Sequence, residues 1–282
     1  MKVLLTGGSG FIGRNILPIL GERFDVVAPD RNALSLKDAN EVRAYLMKHH
    51  FDAVVHCANP NAVKNPVDLC EHAVEDSLRL FVNLYSARDC YGKLLYIGSG
   101  AEYDKSRDIS FVREEEFGRS IPKDGYGLAK YIMNELAQHG GNIYDLCVFA
   151  CYGPRDHSSK FITHCIHSCL RKEAVTIRQD CWFDYLHVED LGHAIAWFVE
   201  NQPVHTMYNM SSGRRVLLSQ IANEVCKQMG NTLPIQILQP ALNLEYTADN
   251  SRFIRESGII PKISLEQGIA MQISWEKQNW PE

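Results

Sequence analysis

The sequence predicts an α/β fold, a doubly wound parallel sheet with a smaller C-terminal α/β lobe. Three observations predict it. Short apolar runs alternate with helical patterns through the first half of the chain, the first run passes directly into a glycine-rich turn, and a Tyr-x-x-x-Lys pair falls in the fourth helical pattern. Apolar runs this short, bounded by polar segments, suit strands covered on both faces, as a parallel sheet requires.

The first strand and turn read Lys2-Val3-Leu4-Leu5-Thr6-Gly7-Gly8-Ser9-Gly10-Phe11-Ile12-Gly13. Gly7 and Gly10 allow a tight turn and a close backbone approach to a pyrophosphate. Gly13 lets the next helix pack against the strand, with the N–H groups of Ser9 to Gly13 facing the phosphates. Further strands are predicted at Val26 to Ala28, Ala53 to Cys57, Leu94 to Gly98 and Leu146 to Ala150, with Cys57 and Ala58 at the end of the third facing the dinucleotide. Helical patterns at Ile12 to Leu20, Ala39 to His49, Val67 to Asp89 and Gly125 to His139 cover the sheet. Val188 to Asn201 reads as another covering helix. The alternation weakens from about Arg155, and a chain with Pro234, Pro240 and Pro261 follows. The expected division is a dinucleotide-binding domain over 1–154, with 186–202 packing back onto it, and a substrate lobe from 155–185 and 203–282.

Tyr126 and Lys130 in Tyr126-Gly127-Leu128-Ala129-Lys130 lie one helical turn apart on one face. A free phenol titrates near pH 10, and a fixed ammonium beside it favours ionisation, making it a proton donor or acceptor nearer neutrality. Together with the glycine turn, the pair points to hydride-transfer chemistry. Ser99, at the end of the fourth strand, can hydrogen-bond a reacting carbonyl beside Tyr126.

These segments, with Tyr96-Ile97-Gly98-Ser99-Gly100-Ala101-Glu102-Tyr103, Ala150-Cys151-Tyr152-Gly153-Pro154, Phe183-Asp184-Tyr185-Leu186-His187-Val188-Glu189-Asp190-Leu191 and Tyr208-Asn209-Met210, resemble the extended short-chain dehydrogenases/reductases, in the group of NAD-dependent nucleotide-sugar epimerases, dehydratases and reductases. The resemblance spans nearly the whole chain in order. It implies a Rossmann domain, a Ser99-Tyr126-Lys130 catalytic set, contact of Lys130 with the nicotinamide ribose, a nucleotide-sugar substrate and a homodimer built on the third and fourth helices. Gly100 and Ala101 replace the adjacent Asp and Glu of the family's dehydratases, which argues against elimination. Ala101 also stands where GDP-fucose synthase has a cysteine, so that enzyme's double epimerisation lacks its base here. Glu102 is left to contact a sugar hydroxyl or to cap a turn.

The cofactor signals conflict after the second strand. Asp30 favours NAD through the adenosine ribose, whereas Arg31 accommodates the 2′-phosphate of NADP. The stretch from Asp30 to Asp38 resembles the short crossover of dTDP-4-dehydrorhamnose reductase and GDP-fucose synthase, which reduce 4-keto sugars, and this tips the choice toward NADP. Ala150 and Phe183 replace an asparagine and an arginine that family members often use. Arg155, His157 and Lys160 therefore become the candidates for a diphosphate. Trp182, Phe183 and Tyr185 suit either base stacking or the core.

The residues lead to an NAD(P)-dependent reductase of a nucleotide-linked 4-keto sugar. The same residues also fit a 4-epimerase that retains NAD, and a non-catalytic dinucleotide-binding regulatory protein is the rival from another class. A net charge of −5 at pH 7 argues against nucleic-acid binding. No run is long enough to span a membrane and no secretory leader precedes the first strand. Nine cysteines without framework spacing read as reduced thiols, so a cytoplasmic enzyme is expected. His164, Cys165, His167 and Cys169 lack a second pair at zinc-finger spacing, so no metal is expected.

Overall fold

A computed structural model describes residues 1–60 and 73–280. Six parallel strands form the main sheet: β1 (Lys2–Thr6), β2 (Asp25–Val27), β3 (Phe51–His56), β4 (Tyr91–Ile97), β6 (Ile143–Val148) and β10 (Met207–Met210), in the spatial order β2-β1-β3-β4-β6-β10. The register aligns Thr6 with His56 and Tyr96 with both His56 and Asp145, so several strand ends open on one edge. The chain departs from β1 toward β2 on one side, while β3 continues toward β4 on the other. The crevice beyond β1 and β3 is thus the topological switch point where open α/β sheets bind ligands.

Helices cover both faces because their apolar stripes demand it. On one face α1 (Phe11–Gly21) and α6 (Val188–Glu200) bury Ile16, Leu20, Leu191, Ile195 and Phe198 against Leu5, Val55 and Leu146. On the other, α2 (Ala39–His49), α3 (Ala73–Ser86) and α4 (Gly125–Gln138) bury Val42, Leu46, Phe81, Leu84 and Met133 against Leu4, Val54 and Leu94. Every side chain of β6 is buried, including Asp145. The start of α2 is fixed by Asp38, whose carboxylate accepts from the backbone N–H groups of Asn40 and Glu41 at 2.9 and 3.0 Å.

The smaller lobe carries α5 (Phe161–Leu170), α7 (Leu218–Met229) and α9 (Leu265–Asn279), which share a core with Ile166, Val225 and Ile269. Beside it run β5 (Ile109–Val112), β7 (Ala150–Tyr152), β9 (Trp182–His187), β11 (Arg215–Leu217) and β13 (Tyr246–Ala248), with β9 pairing β7, β11 and β13. A two-stranded pair, β8 (Thr176–Gln179) and β12 (Gln236–Gln239), and α8 (Ser251–Ser257) complete the chain.

The expected elements are present with shifted ends, and the lobes interleave more than the sequence division implies. β10 lies within 203–282 yet forms the sixth strand of the main sheet, because Tyr208 and Met210 add to the buried core on the α1/α6 face. β7, placed in the first domain by sequence, pairs with β9 of the smaller lobe. The beginning of the predicted third helix, residues 67–72, lies outside the described residues. No helix among the described residues is long and apolar enough to cross a membrane.

Candidate active site

The glycine turn fits a dinucleotide through space, not through side chains. Gly7 adopts φ +73°, and a Cβ there would lie 2.5 Å from the backbone nitrogen of Ala58. The turn after β1 therefore packs on Cys57 and Ala58 at the end of β3, bringing these predicted cofactor-facing residues together. At Gly13 a Cβ would lie 2.2 Å from the Gly7 carbonyl oxygen, so α1 starts directly against the turn. Gly10 caps α1 without a side-chain acceptor, and no acidic residue occupies the first turn. The N-terminal N–H groups and helix dipole there suit an anion. Side chains at Gly7 or Gly13 would break this backbone-on-backbone packing, which sets a helix N-terminus at the switch point of the sheet, as a pyrophosphate site needs.

Asp30 and Arg31 sit exposed after β2. One Asp30 oxygen accepts from the N–H groups of Asn32 and Ala33, both at 2.9 Å, and holds its own turn. Arg31 has no ion pair among the described residues.

Ser99 ends the strand region of β4 and opens a short 3-10 turn, Gly100–Tyr103. Its hydroxyl accepts from the Ala101 N–H at 3.2 Å and faces the phenols of Tyr126 and Tyr246. Tyr126 lies in the first turn of α4, which is capped by Asp124 through a 2.9 Å bond to the Gly127 N–H. The helix can approach because Gly127 is small: a Cβ would meet the Ala101 carbonyl at 2.7 Å. Burial pushes the Tyr126 phenol up to about 12, with the Ser99 hydroxyl opposing.

Lys130 differs from the expectation drawn from spacing. Its ammonium donates to the Ile97 carbonyl at 2.6 Å and lies 6.0 Å from the Tyr96 ring centre, and the leading influence lowering Tyr126 is Ser99 instead. The cation above the Tyr126 ring is Lys105, 5.8 Å from its centre and 3.6 Å from Asp124. Burial lowers the Lys130 pKa, and Glu102 followed by Asp145 opposes this.

Glu102 resolves the choice left open by sequence in favour of the turn cap. It is 0% exposed, and Oε1 accepts from the Ser99 backbone N–H at 2.7 Å, so it does not reach the surface a sugar would contact. Arg155 and His157 are exposed and Lys160 is half-buried, on the loop joining β7 to α5. Asn15 of α1 donates to the Pro154 carbonyl at 2.9 Å, which ties this loop to the helix that follows the glycine turn. His157 bonds Ser159 at 2.9 Å.

Tyr246 is the site residue that sequence reasoning missed. It comes from β13 in the smaller lobe, and its hydroxyl would lie 2.6 Å from a Cβ at Gly100. Its ring lies 4.9 and 5.3 Å from those of Phe149 and Phe183, so Phe183 serves as packing for this phenol. Trp182 carries Arg215 over its ring at 4.7 Å. Cys165 and Cys169 are buried and His167 bonds Glu276 at 2.6 Å. Among the described residues no group of three or more His, Cys, Asp or Glu side chains is placed to hold a metal.

Residues 3–211 match the model of the NAD dependent epimerase/dehydratase family. The chain belongs to that family. Within it, the chain is 23% identical to GDP-L-colitose synthase of Yersinia pseudotuberculosis, over 99% of this chain and 100% of that protein. It is 26% identical to GDP-L-fucose synthase of Sinorhizobium fredii, over 95% of this chain and 93% of that protein. UDP-glucose 4-epimerase of Thermotoga maritima shares the fold, with a TM-score of 0.84, 22% identity and full coverage of both chains. As a member of the epimerase/dehydratase family the protein is an enzyme.

Proposed function

We propose that this enzyme reduces a nucleotide-linked 4-keto sugar with a nicotinamide dinucleotide. The observation that carries the reading is the Ser99 hydroxyl facing the Tyr126 phenol at the end of β4, beyond the glycine cradle. When bound, the reduced nicotinamide supplies a hydride. Ser99 then polarises the ketone oxygen and Tyr126 donates the proton to it. Lys130 holds positive charge and reaches the ribose. Arg155, His157 and Lys160 bind the diphosphate of the substrate. The Asp30 oxygen engaged in its own turn, beside an Arg31 without an ion pair among the described residues, supports NADP over NAD.

The GDP-sugar synthases among the relatives support the substrate class. The test is to denature freshly purified protein and identify the released dinucleotide and its ratio to chain by mass spectrometry. Little cofactor, or mainly NADP(H), with turnover of a 4-keto nucleotide sugar by added NADPH, is the expected result. Near-stoichiometric NAD without such turnover would replace the reading by a 4-epimerase that keeps its cofactor.

A further inference from the structure

We propose that Glu102, Asn134 and Asp145 form a positioning unit that holds a single proton beneath the reacting groups, clamps the Ser99 backbone and supplies the countercharge of Lys130. The roles of Ser99 and Lys130 rest on the function proposed above; the unit itself rests on its geometry. All three side chains are 0% exposed. Asn134 on α4 uses both amide hydrogens, donating to Glu102 Oε2 at 2.9 Å and to Asp145 Oδ2 at 2.5 Å. Its own oxygen accepts from Gln138 at 3.1 Å, which fixes the amide orientation. Glu102 Oε1 accepts from the Ser99 N–H at 2.7 Å.

Among the described residues the other Asp145 oxygen, Oδ1, and the Tyr96 hydroxyl are buried without a hydrogen-bond partner. Both carboxyls converge over Gly98, where a Cβ would lie 1.8 Å from Asp145 Oδ1 and 2.8 Å from Glu102 Oε1. Two ionised carboxylates this close in a dry site are strongly disfavoured, and one proton between them removes the conflict. Lys130 is the ammonium acting on both carboxyls. One proton on the pair therefore leaves one carboxylate against one ammonium and a neutral buried unit. Burial raises both carboxyls, Glu102 well above the ordinary carboxylate range with Asp145 adding to it, and Asp145 to about 6, so the proton belongs to the pair. The other titratable groups facing the unit are Tyr96 on β4, Tyr103 on the 3-10 turn, Tyr126 on α4, Cys147 on β6 and Tyr246 on β13, all kept protonated by burial. His56 on β3 and Cys57 after it, which act on Lys130, are held neutral by burial.

Infrared spectroscopy of the intact enzyme near pH 7 gives the first readout. Recorded in an Asp156→Asn background, which removes the other raised carboxyl, the expected spectrum contains the carbonyl band of a protonated carboxylic acid, and that band disappears when Glu102→Gln is added. A background spectrum without that band overturns the proposal, whatever any further variant does. The second readout is the pH titration of the Lys130 ammonium by 15N NMR. Glu102→Gln together with Asp145→Asn removes the countercharge and lowers the Lys130 titration by about one to two pH units, whereas either single variant leaves one carboxylate facing Lys130 and moves it less. Equal titrations in wild type and the double variant overturn the countercharge role. With turnover measurable, the alkaline limb of kcat in the double variant moves to lower pH by the same amount, a shift that a merely structural defect does not produce. Failure to turn over any 4-keto nucleotide sugar counts against the proposed function and leaves the infrared and NMR results standing.

Discussion

A Cβ on Gly13 would lie 2.2 Å from the carbonyl oxygen of Gly7, so the turn and the helix of the dinucleotide cradle are packed backbone against backbone. Neither side can retreat, since Gly7 is itself pressed on Ala58. Gly13→Ala is expected to destabilise the fold by about 1–3 kcal/mol and to displace the helix N-terminus from the phosphates. The check is thermal melting with and without NADPH. The variant melts lower and loses the ligand-induced rise, and a full rise would refute the cradle.

Tyr126 is protonated across the neutral range because burial pushes its phenol up to about 12, despite the opposing Ser99 hydroxyl. As a proton donor to an alkoxide it is then in its working form, and this form is lost only as pH rises toward that value. The rate of ketone reduction is expected to show no limb from Tyr126 between about pH 6 and 9. Tyr126→Phe should lower kcat by about 10²- to 10⁴-fold while NADPH still binds. Steady-state kinetics across pH, with NADPH titration of the variant, decide both points.

The glycine turn was legible in sequence because Gly7 and Gly13 meet a backbone requirement that no other residue meets, and the requirement leaves a local pattern. Spacing made legible only that Tyr126 and Lys130 lie one turn apart on α4, not that the Lys130 ammonium bonds the Ile97 carbonyl. Tyr246 was not legible, since it reaches Ser99 from β13 and only the tertiary fold makes them neighbours. The Glu102, Asn134 and Asp145 group lies on a turn, a helix and a strand, so no local pattern joins its members. Asp145 did carry a signal, as a carboxylate inside the apolar run Ile143-Tyr144-Asp145-Leu146-Cys147-Val148, where burial demands a partner. β10 was assigned to the wrong lobe because chain order places it after the smaller lobe begins, whereas its apolar side chains belong to the main core.

Asp156 makes stability depend on pH. Burial raises its carboxyl from 3.8 to about 7, with the His157 N–H and Lys160 opposing. A carboxyl raised in the folded state favours folding fully below its unfolded pKa and loses that contribution as pH rises through about 7. The wild-type melting temperature should therefore fall as pH rises from about 4 to 7 and level off above that, and Asp156→Asn should flatten the fall. The upper bound of the effect is about 4 kcal/mol, from roughly three pKa units. Melting curves of both proteins at matched ionic strength provide the measurement, and parallel pH dependences would exclude Asp156 as the cause.

Arg31 sets the expected cofactor preference. It is exposed and free of ion pairs among the described residues, so its guanidinium can meet a 2′-phosphate without breaking an existing contact. Arg31→Ala is expected to weaken NADPH binding by about 10- to 150-fold, with little change for NADH, because a charge-assisted bond to phosphate contributes on the order of 1.5–3 kcal/mol. Fluorescence titrations with the two reduced cofactors separate the cases. Equal loss for both would mean that Arg31 contacts a group the two cofactors share, and no loss for either would place it outside the adenosine site.

Helices α3 and α4 form the outer layer on one face of the sheet, and each presents an apolar side chain to solvent: Val82 is 38% and Ile132 36% exposed. The family resemblance implies that these two helices meet their counterparts in a homodimer, where such side chains would be covered. Introducing a carboxylate at either position forces a charge into the apolar seam but leaves it solvated in a monomer. Val82→Asp or Ile132→Asp is therefore expected to convert a dimer to monomers without lowering the melting temperature of the isolated fold. Light scattering on wild type and variants is the measurement. A wild-type monomer at working concentration removes the dimer, and a dimer that survives both substitutions moves its interface to another face.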